Sequence, residues 1–173
     1  MDNESASLAA LPAGTYYVGV IADSTKLIGE ASETNNTASL KVTVGGPGND
    51  TITSSVGADI LIGGGGADHF VYQSKNAGLD QILDFTQGTD KLDFASSVFG
   101  KHLAQGNANT GTLDASHFVA NGTGPTNALQ VFWFDTNHST LNYDANGSNG
   151  AAPVPIAHLL GVATLTSDDI HLI

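Results

Sequence analysis

The sequence predicts an all-β protein in which a short parallel β-roll leads into an antiparallel β-sandwich-like C-terminal domain and is preceded by a β-hairpin. Three observations predict it. Residues 45–71, GGPGNDTITSSVGADILIGGGGADHFV, repeat every nine residues, with Asp50, Asp59 and Asp68 each two positions behind a glycine. Short segments on either side alternate apolar and polar side chains with the two-residue period of a half-buried strand. Clusters of Gly, Asn, Asp and Ser separate those segments and turn the chain between them.

In chain order, Tyr16, Val18 and Val20 alternate with Tyr17, Gly19 and Ile21 to give a first strand. After a polar loop, Ala38, Leu40, Val42 and Val44 alternate with Ser39, Lys41 and Thr43 to give a second. A lone hairpin is marginal in water, so the pair either docks on the remainder of the chain or is a fragment cut from a larger module. Composition breaks at Gly45, dividing the chain into residues 1–44, a roll at 45–79 and a C-terminal domain at 80–173. In the last part DQILDF is a short strand, TQGTDK a turn, and the region 96–118 holds one short helix among loops. ALQVFWF (Ala128–Phe134) is a strongly apolar strand, TLNY returns, and VPIAHLL makes a third strand, an antiparallel meander turned by DTNHS and DANGSNG. Pro155 puts that third strand at an edge or a bulge.

Composition narrows the function. There is no cysteine, which removes disulfides and cysteine-based zinc sites. Net charge is −12, with five lysines and no arginine, so phosphate neutralisation and nucleic-acid binding are excluded. No apolar run reaches the roughly 20 residues of a spanning helix, and no membrane insertion is expected. The start, MDNESASLAALPAG, lacks the basic and apolar regions of a Sec-type signal. Acidity is unevenly distributed: Glu4, Glu30 and Glu33 all precede residue 45, and the twelve acidic residues after it are all aspartate. Aspartate's short carboxylate suits tight turns and the hard cations held in them.

The nine-residue units can be read individually. GGPGNDTIT (45–53) and GGGGADHFV (63–71) carry G-G-x-G-x-D followed by a strand, and SSVGADILI (54–62) loses the leading glycine pair. This spacing resembles the RTX calcium-binding repeat. Physically, each unit is a six-residue turn and a three-residue strand, with Ile52, Leu61 and Phe70 directed inward. Two units complete one circuit, so turns 18 residues apart stack. Glycine lets the turn backbone curl until carbonyls face the gap, and aspartate closes it. Calcium takes about six to eight oxygen ligands at about 2.3–2.6 Å, a set that two facing half-turns supply and one does not. The expected ligand turns are Gly46, Gly48 and Asp50 against Gly63, Gly65 and Asp68, with Ca2+ between them. Gly57 and Asp59 are expected to meet Asp80 in a second site, and Asp68 to meet Asp90 in a third. Asp84 and Asp93 are assigned structural roles.

Together with ADHFVY and LDQILDFTQGTDKLDF, and with the later YDANGSNG and closing LTSDDIHLI, the repeats resemble the C-terminal region of RTX proteins exported by type I secretion, in particular the serralysin-type C-terminal domain. The resemblance implies a parallel β-roll with calcium in its turns, a sandwich-like tail, and a far C-terminal signal read by an ABC transporter complex. It implies a secreted, extracellular bacterial protein exported without a Sec signal. Asp168 and Asp169 followed by Ile170, His171, Leu172 and Ile173 suit that signal, and equally suit a last strand packed in the core. Separately, the AGTYYVGVIAD and ETNNTAS segments resemble the closing strands of a CARDB-type immunoglobulin-like module.

Catalytic patterns are missing. There is no H-E-x-x-H and no G-x-S-x-G, and the six histidines are scattered with no two at ligand spacing along the chain. GGGG lacks a following G-K-[ST], and DANGSNG lacks the glycine and glutamate of an EF-hand loop. Val131–Phe134 is read as core before carbohydrate platform. The expectation is a non-catalytic, calcium-binding module serving calcium-triggered folding and type I export. Its rivals are an adhesion module contacting a polysaccharide or cell surface, and the accessory tail of an exported protease or polysaccharide-modifying enzyme. Calcium is expected to raise both thermal stability and β-content while magnesium, which dehydrates reluctantly and needs a smaller octahedral site, does neither; circular dichroism with each ion after chelation reads the difference.

Overall fold

The computed structural model describes residues 8–21, 36–100, 111–147 and 152–173. In chain order its strands are β1 (Gly14–Ile21), β2 (Thr37–Val44), β3 (Thr51–Thr53), β4 (Asp59–Ile62), β5 (His69–Tyr72), β6 (Asp80–Ile82) and β7 (Lys91–Phe94). A one-turn helix, α1 (Ser96–Phe99), follows, then β8 (Phe118–Asn121), β9 (Phe132–Asp135), β10 (Thr140–Tyr143), β11 (Val154–Leu159) and β12 (Ile170–Leu172). Glu4, Glu30, Glu33 and His102 lie outside the described residues, as do the segments 22–35 and 101–110.

From β2 to β7 the chain alternates between two sheets, one strand at a time. β2, β4 and β6 stack in parallel in one sheet, and β3, β5 and β7 stack in parallel in the other. The nine-residue period sets the register: Lys41 lies beside Asp59 and Thr51 beside His69. Between the sheets, Ile52, Phe70, Leu92 and Ile170 form one inward row and Leu61 and Ile82 face them, all at most 3% exposed. Such spacing follows from the pleat: only the strand centre of each unit points inward, and an apolar residue occupies it every time.

The hairpin docks on the repeats. β2 pairs antiparallel with β1 and parallel with β4, so it belongs to the same sheet as the nine-residue units. Its outer face, with Val42, Val44 and Ile62 buried, is covered by Leu8, Leu11 and Tyr16 in a small second core.

The meander β9–β10–β11 is antiparallel as expected. It adds to the roll's sheet through β11, which runs parallel to β6, and β8 lies parallel to β9 at the far edge. One detail differs from the sequence reading, and one open alternative is decided. The strand expected from Ala128 starts only at Phe132, because Asn127 folds the preceding residues into a turn, its Oδ1 accepting from Leu129 N–H at 2.9 Å. Of the edge or bulge expected at Pro155 the structure has the bulge: the strand is interior, the missing N–H is absorbed by a register slip opposite Leu141 and Asn142, and pairing with β6 begins only at Ala157.

Beneath the roll Tyr72, Phe94, Phe99, Phe132 and Tyr143 pack at ring separations of 4.8–5.3 Å. Phe132 and Phe134 are fully buried, and the Trp133 indole N–H donates to the Asn121 carbonyl at 2.9 Å. The aromatic run is therefore core and anchor. Replacing Phe70, at the centre of the inward row, with alanine is expected to cost about 3–5 kcal/mol; urea unfolding in saturating calcium measures it.

Candidate metal centre

The repeat aspartates stand at the starts of strands, and Asp50, Asp59 and Asp90 clasp their own turns. Asp50 Oδ2 accepts from Gly46 N–H, Asp59 Oδ2 from Ser55 N–H at 2.9 Å, and Asp90 Oδ2 from Thr86 N–H at 2.7 Å, each bond spanning four residues. The geometry explains how the middle unit tolerates the loss of its glycine pair: Ser55 supplies the same N–H that Gly46 supplies, and its hydroxyl adds a second bond to Asp59.

In Asp68, Asp80 and Asp90 a carboxylate oxygen reaches the neighbouring coil. Asp68 Oδ1 accepts from Asp50 N–H at 2.9 Å, 18 residues away. Asp90 Oδ1 accepts from Asp68 N–H at 3.0 Å, and Asp80 Oδ1 from Asp59 N–H at 2.9 Å. Asp50, Asp68 and Asp90 thus stack along one side of the roll, and Asp59 and Asp80 along the other. Backbone bonds hold the same stack, with His69 N–H on Asp50 O and Lys91 N–H on Asp68 O, both at 2.8 Å.

The glycine turns are close-packed against each other. Gly65 N–H donates to the Gly46 carbonyl at 3.0 Å, and Ala67 N–H donates to Asn49 Oδ1 at 2.8 Å. A Cβ on Gly64, whose φ is +97°, would collide with the Gly46 carbonyl oxygen, and one on Gly45 with that of Gly63. Gly48 and Gly57 lie open at the turn surface, with nothing near a notional Cβ. Gly63 belongs to a second clasp: Asp84 accepts from both Gly63 and Gly64 N–H at 2.8 Å.

These residues fit a hard divalent cation. The donors are carboxylate and carbonyl oxygens only. Asp59, Asp68, Asp80 and Asp90 are all at most 3% exposed, and among the described residues no lysine ion pair reaches them. Asp80 Oδ2 is buried without a hydrogen-bond partner. Burial is the main reason the Asp80 carboxyl is pushed up to about 6, and burial also raises Asp68, with the carboxylates of Asp90, Asp50 and Asp84 adding to it. A buried carboxylate so placed favours either a proton or a cation.

The Peptidase M10 serralysin C-terminal family matches residues 18–170. The chain belongs to that family. Among curated proteins none matches it. The serralysin C-terminal match takes in β2 as well as the nine-residue units and the meander, and it is to the C-terminal region of that peptidase family, not its catalytic domain. No described helix is long and apolar enough to cross a membrane.

Two features of this serralysin C-terminal domain escaped the sequence reading. Asp169, fully buried, repeats the clasp: Oδ2 accepts from Thr166 N–H and Oδ1 from Gly88 N–H, both at 2.8 Å. It precedes β12, which pairs in parallel with β7, so the C-terminal segment forms the packed last strand that the sequence allowed, fourth beside β3, β5 and β7. The pattern aspartate, then alternating apolar residues, in SDDIHL matches GADHFV and GTDKLDF and would have revealed it. The second feature is a correction: His69 and His171, far apart in sequence, are brought together around Asp93. Chain spacing carries no sign of that pair, since strand register alone creates it. His171 is held below the ordinary histidine range, chiefly by burial.

Two measurements probe the centre. Asp68→Ala is expected to weaken calcium affinity at least tenfold, while Asp114→Ala, which removes only an exposed cap on Ser116, leaves it within twofold; isothermal titration distinguishes them. Because Asp80 ionises at a higher pH when folded than unfolded, its stabilising contribution in chelator is complete below about pH 4 and lost as pH rises through about 6. Asp80→Asn should therefore melt higher than the parent in chelator at about pH 7.5, lose that advantage at about pH 5, and gain less from added calcium.

Proposed function

We propose that this chain is a non-catalytic calcium-binding module of a secreted bacterial RTX protein, whose folding is triggered by calcium after export through a type I ABC transporter complex. The observation that carries the reading is the stack of aspartates in which buried Asp68, Asp80 and Asp90 each hold the backbone of the neighbouring coil while lacking a cationic partner. Asp50 with Asp68, Asp59 with Asp80, and Asp68 with Asp90 would hold the ions, with turn carbonyls at Gly46, Gly48, Gly57, Gly63 and Gly65 as the further oxygen donors. Bound calcium supplies the positive charge that this stack needs.

The rest of the cycle rests on the residues themselves. Without cations the aspartates repel across the coils, and the short three- and four-residue strands have too little apolar area to hold the roll closed. The chain then stays extended enough to be transported. In a calcium-rich medium the stabilisation by binding grows with ion concentration, and folding comes after export. The segment around Asp168 and Asp169 would serve as the transport signal while unfolded and as β12 once folded. The family description also favours the accessory-tail reading, in which an exported peptidase carries this module beside its catalytic portion.

A reporter fused ahead of the chain and co-expressed with a type I transporter tests the two roles separately. Deleting residues 166–173 is expected to abolish secretion. The Asp50→Asn, Asp68→Asn double variant should be secreted at the parental level but stay protease-sensitive in external calcium. Secretion of the truncated chain, or calcium-induced protease resistance of the double variant, would contradict the reading.

A further inference from the structure

Apart from the oxygen-lined turns, one cluster combines nitrogen and oxygen donors. His69 comes from β5, Asp93 from β7 and His171 from β12, three adjacent strands of one sheet. Asp93 Oδ2 lies 2.8 Å from His69 Nδ1, and Asp93 Oδ1 lies 3.7 Å from His171 Nδ1. One donor atom from each residue lies within 4.8 Å of the others, and the two imidazole rings are 6.2 Å apart. Asp93 is only 6% exposed, yet its Oδ1, facing His171, has no hydrogen-bond partner. A buried carboxylate oxygen with no donor is costly, and a ligand between the two rings would satisfy it.

We propose that His69, Asp93 and His171 bind one divalent transition-metal ion of the zinc class, at a site separate from the calcium turns. The chemistry is selective. Imidazole nitrogen suits zinc, nickel and copper, whereas calcium takes oxygen. Zinc sites with about three protein ligands, at about 2.0–2.2 Å, leave a further position for water, and the partly exposed His69 gives solvent access to it. The ion would join β12 to β5 and β7, fastening the C-terminal segment to the roll by a second means besides the Asp169 clasp.

Zinc titration of the calcium-saturated chain tests it. The expected result is one saturable site, unaffected by excess calcium, with zinc raising the melting temperature. His69→Ala, Asp93→Asn and His171→Ala each weaken binding at least tenfold, whereas His138→Ala, at the exposed Asp135 pair, leaves it unchanged. X-ray absorption of the zinc-loaded parent chain requires no variant to fold and should show two imidazole ligands and one carboxylate. No stoichiometric zinc site, fewer than two imidazoles at the metal, or undiminished affinity in folded His69→Ala and His171→Ala would overturn the proposal and leave Asp93 as a hydrogen-bonding bridge between two histidines.

Discussion

The structure depends on a single recurring interaction: an aspartate carboxylate that accepts backbone N–H bonds from its own turn, from the neighbouring coil, or from both. Asp90 and Asp169 make both bonds, Asp68 and Asp80 take the neighbouring coil's N–H, and Asp50 and Asp59 close their own turns. Hydrogen bonds to backbone N–H stabilise ionised carboxylates, but the stacking that makes these bonds also brings like charges together and removes them from water. The two effects oppose each other. Strand register, the inward apolar row and the packing of the glycine turns all require the coils to sit at that spacing, so the roll's stability is tied to whatever offsets the charge.

This coupling explains the composition. Glutamate's longer side chain would not return to an N–H four residues earlier while reaching the adjacent coil, and no glutamate occurs beyond residue 45. Lysine would neutralise the stack permanently and make folding indifferent to its surroundings. An oxygen-only site with no built-in counter-charge is what the calcium-conditional folding proposed above calls for.

Much of the roll was legible in the sequence, because a nine-residue period is a geometric statement: it fixes which strands are parallel, which turns face each other and which residues point inward. Ile52, Leu61 and Phe70 could be placed inside from spacing alone. The Ser54–Ser55 unit looked defective by composition yet makes the same clasp, since the turn needs a backbone N–H at that position and any residue but proline provides one. Longer coils were readable too, as the aspartate spacing stretches from 18 to 21 and 22 residues without losing the contact. What could not be read was set by tertiary pairing. The joining of β11 to β6, the displacement of β9 by the Asn127 turn, and the meeting of His69 with His171 depend on strands remote in sequence, and no local pattern encodes them.

The hairpin at the other end of the roll has its own consequence. A solenoid of parallel coils has no intrinsic length: each unit offers an open edge on which another can grow, and terminal units normally differ to prevent it. Here β1 runs antiparallel along all eight residues of β2 and occupies that edge. The antiparallel strand ends the series on one sheet, while β3, with exposed Thr51 and Thr53 and only three residues long, leaves the opposite sheet little template to extend. Without β1, the same coil would present a growing tip to its own copies, and end-to-end assembly into filaments would become the competing outcome.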